Sequence, residues 1–557
     1  MKRKKPENKA GVRSEPFLKK LLPLAAALPG LAVILYYLLG PAAGFMTSDC
    51  ADSLRWAEAT LKSGKLISDN FRYAALLPFG GNLVFLPFVA LYGFSLKAQI
   101  CGLVMFALLM AAALYYLARG MEFNRWLSAG FVSVFCLIMC IGNKLREIMW
   151  EHVFYYNLGI LFFCFGFGLT IRILRDVARP LETRRDTVRY WIRLAVLCVF
   201  SLIAATDGLQ TLVCYTMPLL AGLIGERIFS REKTLLTREN AGTGALAAAI
   251  LLASAIGFVL IEPICDGVTA GYADGYSAYS AMDSWGDNFR KLFHNWITLF
   301  GVSARDGDTL VSLDSVMTVI RIFMAYLILI FPVLQLFRLN KIRRRSLRIV
   351  LLGNFAVLLF IFFAVTFGRL SGANWRLTPL LGTSLISTFF TAADLIEEKG
   401  DSLRKGVLLL IALIITAIIP ARTILTTPAD YGRNQVLFVT ARQLQDYGLK
   451  RGYASFWWAG AMDMISEGKL EIANVNLEKD MPAKNFYQQA YDVYDDKDSE
   501  SFFLLMSEKE NKEMSAWLRE QREAGLIAEE LMIPIKYNFY GGSGSKVYIY
   551  VFPKNIF

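Results

Sequence analysis

Two short runs of the chain carry side chains suited to moving protons. In Thr47-Ser-Asp-Cys-Ala-Asp-Ser-Leu-Arg-Trp-Ala-Glu58, the carboxylates Asp49 and Asp52 stand three residues apart, with Arg55 a further three along. In Lys144-Leu-Arg-Glu-Ile-Met-Trp-Glu-His-Val153, Glu151 and His152 are adjacent. A carboxyl group partly shielded from water has a raised pKa, and a nearby cation can still hold it ionised, so either protonation state has a catalytic use. Asp207, in Ala-Ala-Thr-Asp-Gly-Leu, is a further acid in an apolar setting. The cations are Arg321, inside an apolar run, and Arg369 and Arg376, which flank Leu-Ser-Gly-Ala-Asn-Trp375. Each residue also has a plainer role. Asp49 and Asp207 can cap the helices that follow them, and Glu151 and His152 can belong to an interfacial girdle with Trp150, Tyr155 and Tyr156. An intramembrane Arg321 should face a cavity or a partner, unless its helix begins later in the sequence.

The elements that must position these groups are set by composition. Of 557 residues, 55% are apolar and 19% charged, against roughly 25% charged in a soluble protein. Apolar runs recur from Leu21 to Leu425, each long enough to cross about 30 Å of hydrocarbon at 1.5 Å per residue. That excludes a soluble enzyme. The first run, Leu21 to Gly40, opens a series of others and reads as a retained span rather than a cleaved signal. Eleven spans fit, near 21–40, 98–118, 127–143, 155–173, 191–206, 209–225, 243–263, 315–337, 349–367, 377–394 and 405–425. The N-terminal tail and the connections on its side of the membrane hold thirty Lys or Arg, the five opposite connections twelve. Retention of basic residues inside puts the N-terminus in the cytoplasm and residues 426–557 outside. The net charge of +12 thus belongs to membrane topology and points to no nucleic acid.

Two outer connections are long, 41–97 and 264–314. The first predicts a helix over Asp52 to Lys65, with Leu54, Ala57 and Leu61 on one face, lying along the membrane surface. An apolar segment follows, interrupted by Pro78, Gly80, Gly81 and Pro87, which suits a re-entrant piece and not a full span. The second loop predicts an interfacial amphipathic helix over Asn288 to Phe300; its Tyr- and Asp-rich first half suits sugar or peptide binding, or an aromatic belt. Six of the eight cysteines fall in spans without metal-site spacing. Cys50 and Cys265 share the outer face, where a disulfide is open to them. Beyond residue 430, alternating residues predict a mixed soluble domain with a strand at Lys546–Phe552 after the turn Gly541–Ser545, and a helix near Glu508 to Glu523. The organisation is therefore a basic tail (1–20), a transmembrane region (21–425) and an extracytoplasmic α/β domain (426–557). The fold class is a mainly α polytopic membrane protein.

The order of these features resembles the GT-C superfamily of polytopic glycosyltransferases, with protein O-mannosyltransferases and aminoarabinose transferases the most similar members. The resembling order is a first span, an acid immediately outside it, a surface helix ending in Ser63-Gly64, a Pro-containing apolar segment, and Tyr92-Gly-Phe-Ser-Leu-Lys-Ala98 opening the second span. Many members carry adjacent Asp-Glu where this chain has Asp49-Cys-Ala-Asp52, and Asp49 is the favoured counterpart of the acidic residue. The resemblance implies a sugar donor on a polyprenyl phosphate, an acceptor approaching from outside and inversion at the anomeric carbon. On this reading Asp49, Asp52, Glu151 and His152 are the catalytic candidates, and Arg55, Arg321, Arg369, Arg376, Trp375 and Asp207 the substrate-binding ones. Trp375-Arg-Leu-Thr-Pro379 corresponds to a segment whose basic residue faces the lipid phosphate. A divalent cation, Mg2+ or Mn2+, between Asp49 or Asp52 and another outer carboxylate is open, since some members use one. No phosphate loop, dinucleotide fingerprint or Cys/His cluster indicates another cofactor. A transporter or flippase of lipid-linked precursors, which commonly shows internal repeats not seen here, and a non-catalytic envelope sensor are the alternatives.

Overall fold

Backbone polar groups in hydrocarbon must be satisfied within their own segment, so long apolar runs become helices. The computed structural model describes residues 21–74, 80–153, 155–178, 182–229, 237–265, 267–269, 275–303, 309–398, 400–477, 481–496, 499–534 and 546–557; the basic tail 1–20 and the turn 541–545 lie outside these. Ten helices among the described residues are long and apolar enough to cross a membrane, and the chain is a multi-pass membrane protein. The eleventh expected span, 127–143, is a helix of only 14 residues, Arg125–Ile138, continued by tight turns through Ile141. It still joins the two ends of the bundle. Before it, the Met121 carbonyl accepts from Arg344 at 2.7 Å; after it, Lys144 stands over the Trp375 ring at the other end. The Pro-interrupted segment is the 11-residue helix Asn82–Tyr92, with Pro87 inside it, too short to span.

The expected surface helix is corrected in both place and setting. It runs over Ser48–Ser63 and ends at Gly64, whose φ of 66° is left-handed. Ser48, Cys50, Ala51, Asp52, Ser53, Leu54, Trp56, Ala57 and Ala59 are all buried. Small and apolar residues occupy most of its circumference, so it is enclosed from two sides, by Asn82–Tyr92 and by helix Phe456–Ile465 of the C-terminal region. Label this enclosed helix α1. Cys50, at its start, is a free buried thiol, so the disulfide open to Cys50 and Cys265 is not formed; the Cys265 side chain lies outside the described residues. The amphipathic helix expected in the long connection 264–314 spans Trp285–Leu299; the Trp296 indole donates to the Ala325 carbonyl at 2.9 Å, anchoring it to the bundle.

The C-terminal region is built on a six-stranded sheet in the order Ala483–Lys484, Glu471–Asn476, Arg451–Ala454, Phe502–Ser507, Lys546–Phe552, Glu529–Pro534. Arg451–Ala454 pairs in parallel with both neighbours and the remaining pairs are antiparallel. Each face covers its own apolar core. The single helix expected over 508–523 is two helices, Glu508–Glu513 and Ser515–Glu523, because fully buried Met514 turns the chain inward between them. A second, two-stranded sheet pairs Phe71 with Ala490 and Arg72 with Gln489. It ties the long connection 41–97 to the C-terminal region.

At the opposite end of the bundle, Glu226 (3% exposed) accepts from Arg345 Nε at 2.9 Å and Arg348 Nη2 at 2.6 Å. Removing one partner of a buried pair strands the others. Glu226→Ala is expected to destabilise the protein by about 3 kcal/mol, read as a lower thermal midpoint in detergent; an unchanged midpoint would show that this network does not hold the helices together.

Candidate functional site

α1 begins at Thr47, which is extended (φ −117°, ψ 177°) and makes no side-chain capping bond. Asp49 lies in the first turn, where the partial positive charge of a helix N-terminus suits an acid. It is half-buried. Burial pushes its carboxyl up, and the Lys144 ammonium pulls it back part of the way. Asp52, one turn on and 4% exposed, is pushed much further up by burial and by Asp49, against the pull of Arg55 and a hydrogen bond from Gln488. The two carboxyls are thereby driven apart: Asp52 keeps its proton to higher pH than Asp49.

Lys144 comes from helix Asn143–Trp150. That helix starts at Gly142, which is pressed against the Leu299 carbonyl so closely that a Cβ would sit 2.3 Å from it. Lys144 Nζ donates to Glu147 Oε1 at 2.7 Å and lies 4.6 Å from the Trp375 ring centroid. Next in sequence, Arg376 is 8% exposed; it stands 4.2 Å over the Tyr276 ring and donates to the Arg369 carbonyl at 3.0 Å. The Tyr156 hydroxyl lies within reach of Arg376 and Trp375. Asp49, Lys144, Glu147, Trp375 and Arg376 thus form one group of acid, cation and aromatic side chains from three separate segments between the long helices.

The other expected site residues sit as follows. His152 adjoins this group through Glu147 and Lys144, and burial lowers its imidazole to about 4, so it is neutral near pH 7. Glu151 turns inward: it is fully buried, accepts a hydrogen bond from the Tyr37 hydroxyl and is raised to about 8, by burial first and then by Glu147. Arg146 lies between the rings of Tyr37 and Phe45, 4.8 Å from each. Arg55 points to the C-terminal sheet and pairs with Asp463 at 2.9 Å. Arg321, eight residues into helix Leu313–Leu336, donates to the Gly301 carbonyl at 2.8 Å, so its helix does begin before it. Gly301 packs on Ile141 and Gly142, and Arg321 therefore braces the start of the Lys144 helix from below. Arg369 is exposed at the rim and donates to the Gly275 carbonyl at 3.4 Å. Asp207 does not cap a helix, since Gly208 occupies that position without a side-chain bond. Burial alone raises its carboxyl well above the ordinary range, and no described contact links it to Asp49.

Lys144 and Glu147 were within the chemically suggestive segment, and their i, i+3 spacing signals a paired helix face. Tyr276 and Gln488 carry no local signal. Beside α1, on the side away from Asp49, a cavity of about 790 Å³ is lined by Arg55, Glu58, Phe71, Phe94, Arg451 and Asp463 among others. For a divalent cation, no group of three His, Cys, Asp or Glu side chains gathers among the described residues, and Lys144 already places a positive charge on Asp49.

No protein-family model and no curated protein matches the chain. Among solved structures it is similar to ArnT from Cupriavidus metallidurans in the apo state, at 12% identity and a TM-score of 0.47, over 95% of this chain and 97% of that one. It is also similar to the Archaeoglobus fulgidus oligosaccharyltransferase in the apo form, at 12% identity and a TM-score of 0.44, over 82% of this chain. There it spans 65% of the other chain's length.

Lys144→Met leaves burial unopposed at Asp49, so the Asp49 carboxyl is expected to titrate at higher pH than in the parent. Carboxyl-region infrared spectra compared with those of an Asp49→Asn variant read this directly, and an unmoved titration would mean that Lys144 does not act on Asp49.

Proposed function

We propose that this chain transfers a sugar from a polyprenyl-phosphate donor to an extracytoplasmic acceptor, with inversion. The observation that supports it most is the grouping of a half-buried acid, Asp49, with two cations, Lys144 and Arg376, at the end of the bundle that also carries the C-terminal sheet. An excess of basic residues at the other end supports assigning the Asp49 end to the outside. A donor whose lipid tail stays in the bilayer would present its phosphate at that depth.

The chemistry needs two kinds of group on opposite sides of one carbon. The acceptor hydroxyl attacks the anomeric carbon as the bond to the lipid phosphate breaks. The ionised Asp49 carboxylate takes the hydroxyl proton, and the Lys144 ammonium favours that ionised form against the pull of burial. Arg376, a planar fork of donors suited to phosphate, stabilises the charge that develops on the leaving group, with Arg369 at the rim. His152 stays neutral and adds no competing charge. Glu151 and Arg321 act, on this reading, from behind the site as supports.

Asp49→Asn should fold and lower transfer by a factor of about 10² to 10⁴ in membranes supplied with polyprenyl-phosphate sugars; full activity would sink the assignment of the base. Arg376→Ala should lower kcat/KM for the donor by about 10² to 10³. Because the Asp49 carboxyl is raised and must be deprotonated to act, transfer should rise with pH through a limb lying above the ordinary aspartate range. A limb at or below that range would contradict the role given to Asp49.

A further inference from the structure

Gln488 lies in the C-terminal region, yet all its polar contacts are with the first outer loop. It is 1% exposed and holds a left-handed backbone, φ 59°, unusual for a residue with a Cβ. Its backbone N–H donates to the Arg72 carbonyl at 3.0 Å, and its own carbonyl accepts from Arg55 Nη1 at 3.3 Å. Its side-chain oxygen accepts from Trp56 Nε1 at 2.7 Å and from the Ala74 N–H at 3.3 Å. Both of those partners can only donate, which fixes the amide's orientation. The Nε2 group is therefore forced to face Asp52, and donates to its Oδ2 at 2.8 Å. The other Asp52 oxygen is buried without a hydrogen-bond partner among the described residues.

Strained backbone held in place by surrounding contacts is commonest where geometry matters to function. Here the strain aims one amide at a carboxyl that lies one helical turn from Asp49, on the same helix face. We propose that Gln488 is a positioning residue of the transfer site: the C-terminal region supplies the amide that fixes Asp52 and, through it, the turn of α1 that presents Asp49. This rests on the sugar-transfer reading above. It makes the outer region part of the site rather than an appended module. The charged groups facing Asp52 are Asp49 and Arg55 on its own helix, with Asp463 beyond Arg55; Gln488 is the uncharged member that comes from the other side.

Gln488→Glu in the full-length protein in lipid nanodiscs tests this. Glutamate keeps an oxygen for the Trp56 and Ala74 donors but turns an acid toward Asp52 in place of a donor. The infrared band that Asp52→Asn removes should then shift, and the acidic limb of kcat/KM should move to higher pH, because a third acid disfavours ionising Asp49. The donor KM should stay within twofold. A merely structural residue would lower the rate equally at every pH and leave the limb in place; that result, or an unmoved band, overturns the proposal. Should Gln488→Glu fail to fold, Asp52→Asn combined with it reverses donor and acceptor and should restore folding, whereas a double variant no more stable than Gln488→Glu contradicts the contact. A parent chain that transfers no sugar, yet shows the band shift, would remove the sugar-transfer reading and the positioning role with it while leaving the Gln488–Asp52 contact established.

Discussion

A carboxylate withdrawn from water either finds a cation and donors or surrenders its charge, and the buried acids of this chain are sorted by that choice. Glu226 keeps two arginines and serves the packing of the helices. Asp463 keeps Arg55 and locks the sheet region to α1. Glu151 is given a tyrosine hydroxyl and a value near 8. Asp207 has no cation beside it among the described residues, and burial raises its carboxyl well above the ordinary range. Asp49 combines partial exposure with a cation from another segment, Lys144, which is the condition for an acid that can both reach a substrate and hold its charge.

That condition depends on α1 staying where it is. The helix is short, and most of its surface is small or apolar, so it is defined by what encloses it: the Asn82–Tyr92 helix on one side, the C-terminal helix Phe456–Ile465 on the other. The C-terminal region reaches α1 and the loop after it through three interlocked contacts: the Arg55–Asp463 pair, the pairing of Phe71–Arg72 with Gln489–Ala490, and Gln488, whose backbone bonds both Arg55 and Arg72. On the other side of the site, Gly142 against Leu299 and Arg321 against Gly301 fix the helix that carries Lys144. The reactive group is thus assembled from segments far apart in sequence, each anchored by contacts remote from the chemistry.

Much of the fold was legible because hydropathy and charge retention are constraints imposed by the bilayer itself. Ten of the eleven span positions, the non-spanning character of the Pro-containing segment, the amphipathic helix near 288–300 and the strand Lys546–Phe552 follow from period and composition alone; that the Pro-containing segment is helical does not. The setting of α1 was not legible, since periodicity shows where a helix is small or apolar and not whether those faces meet lipid or protein. At the site, Asp49, Trp375 and Arg376 stand out by type and position. Lys144 and Glu147 were hidden by their neighbours Glu151 and His152, which are chemically more conspicuous yet turn inward or stay neutral. Gln488 had no signal, because an amide 436 residues from its partner follows no local pattern. Arg55 shows the converse: a cation beside two acids in sequence is claimed by Asp463 in space.

The most direct measurement is a structure of the protein in lipid nanodiscs with a non-transferable polyprenyl-phosphate sugar analogue bound. The account predicts the phosphate against Arg376 and Lys144, with the anomeric carbon on the Asp49 side. Phosphate density at the Arg345 and Arg348 end of the bundle, or confined to the cavity beside Arg451, would contradict it.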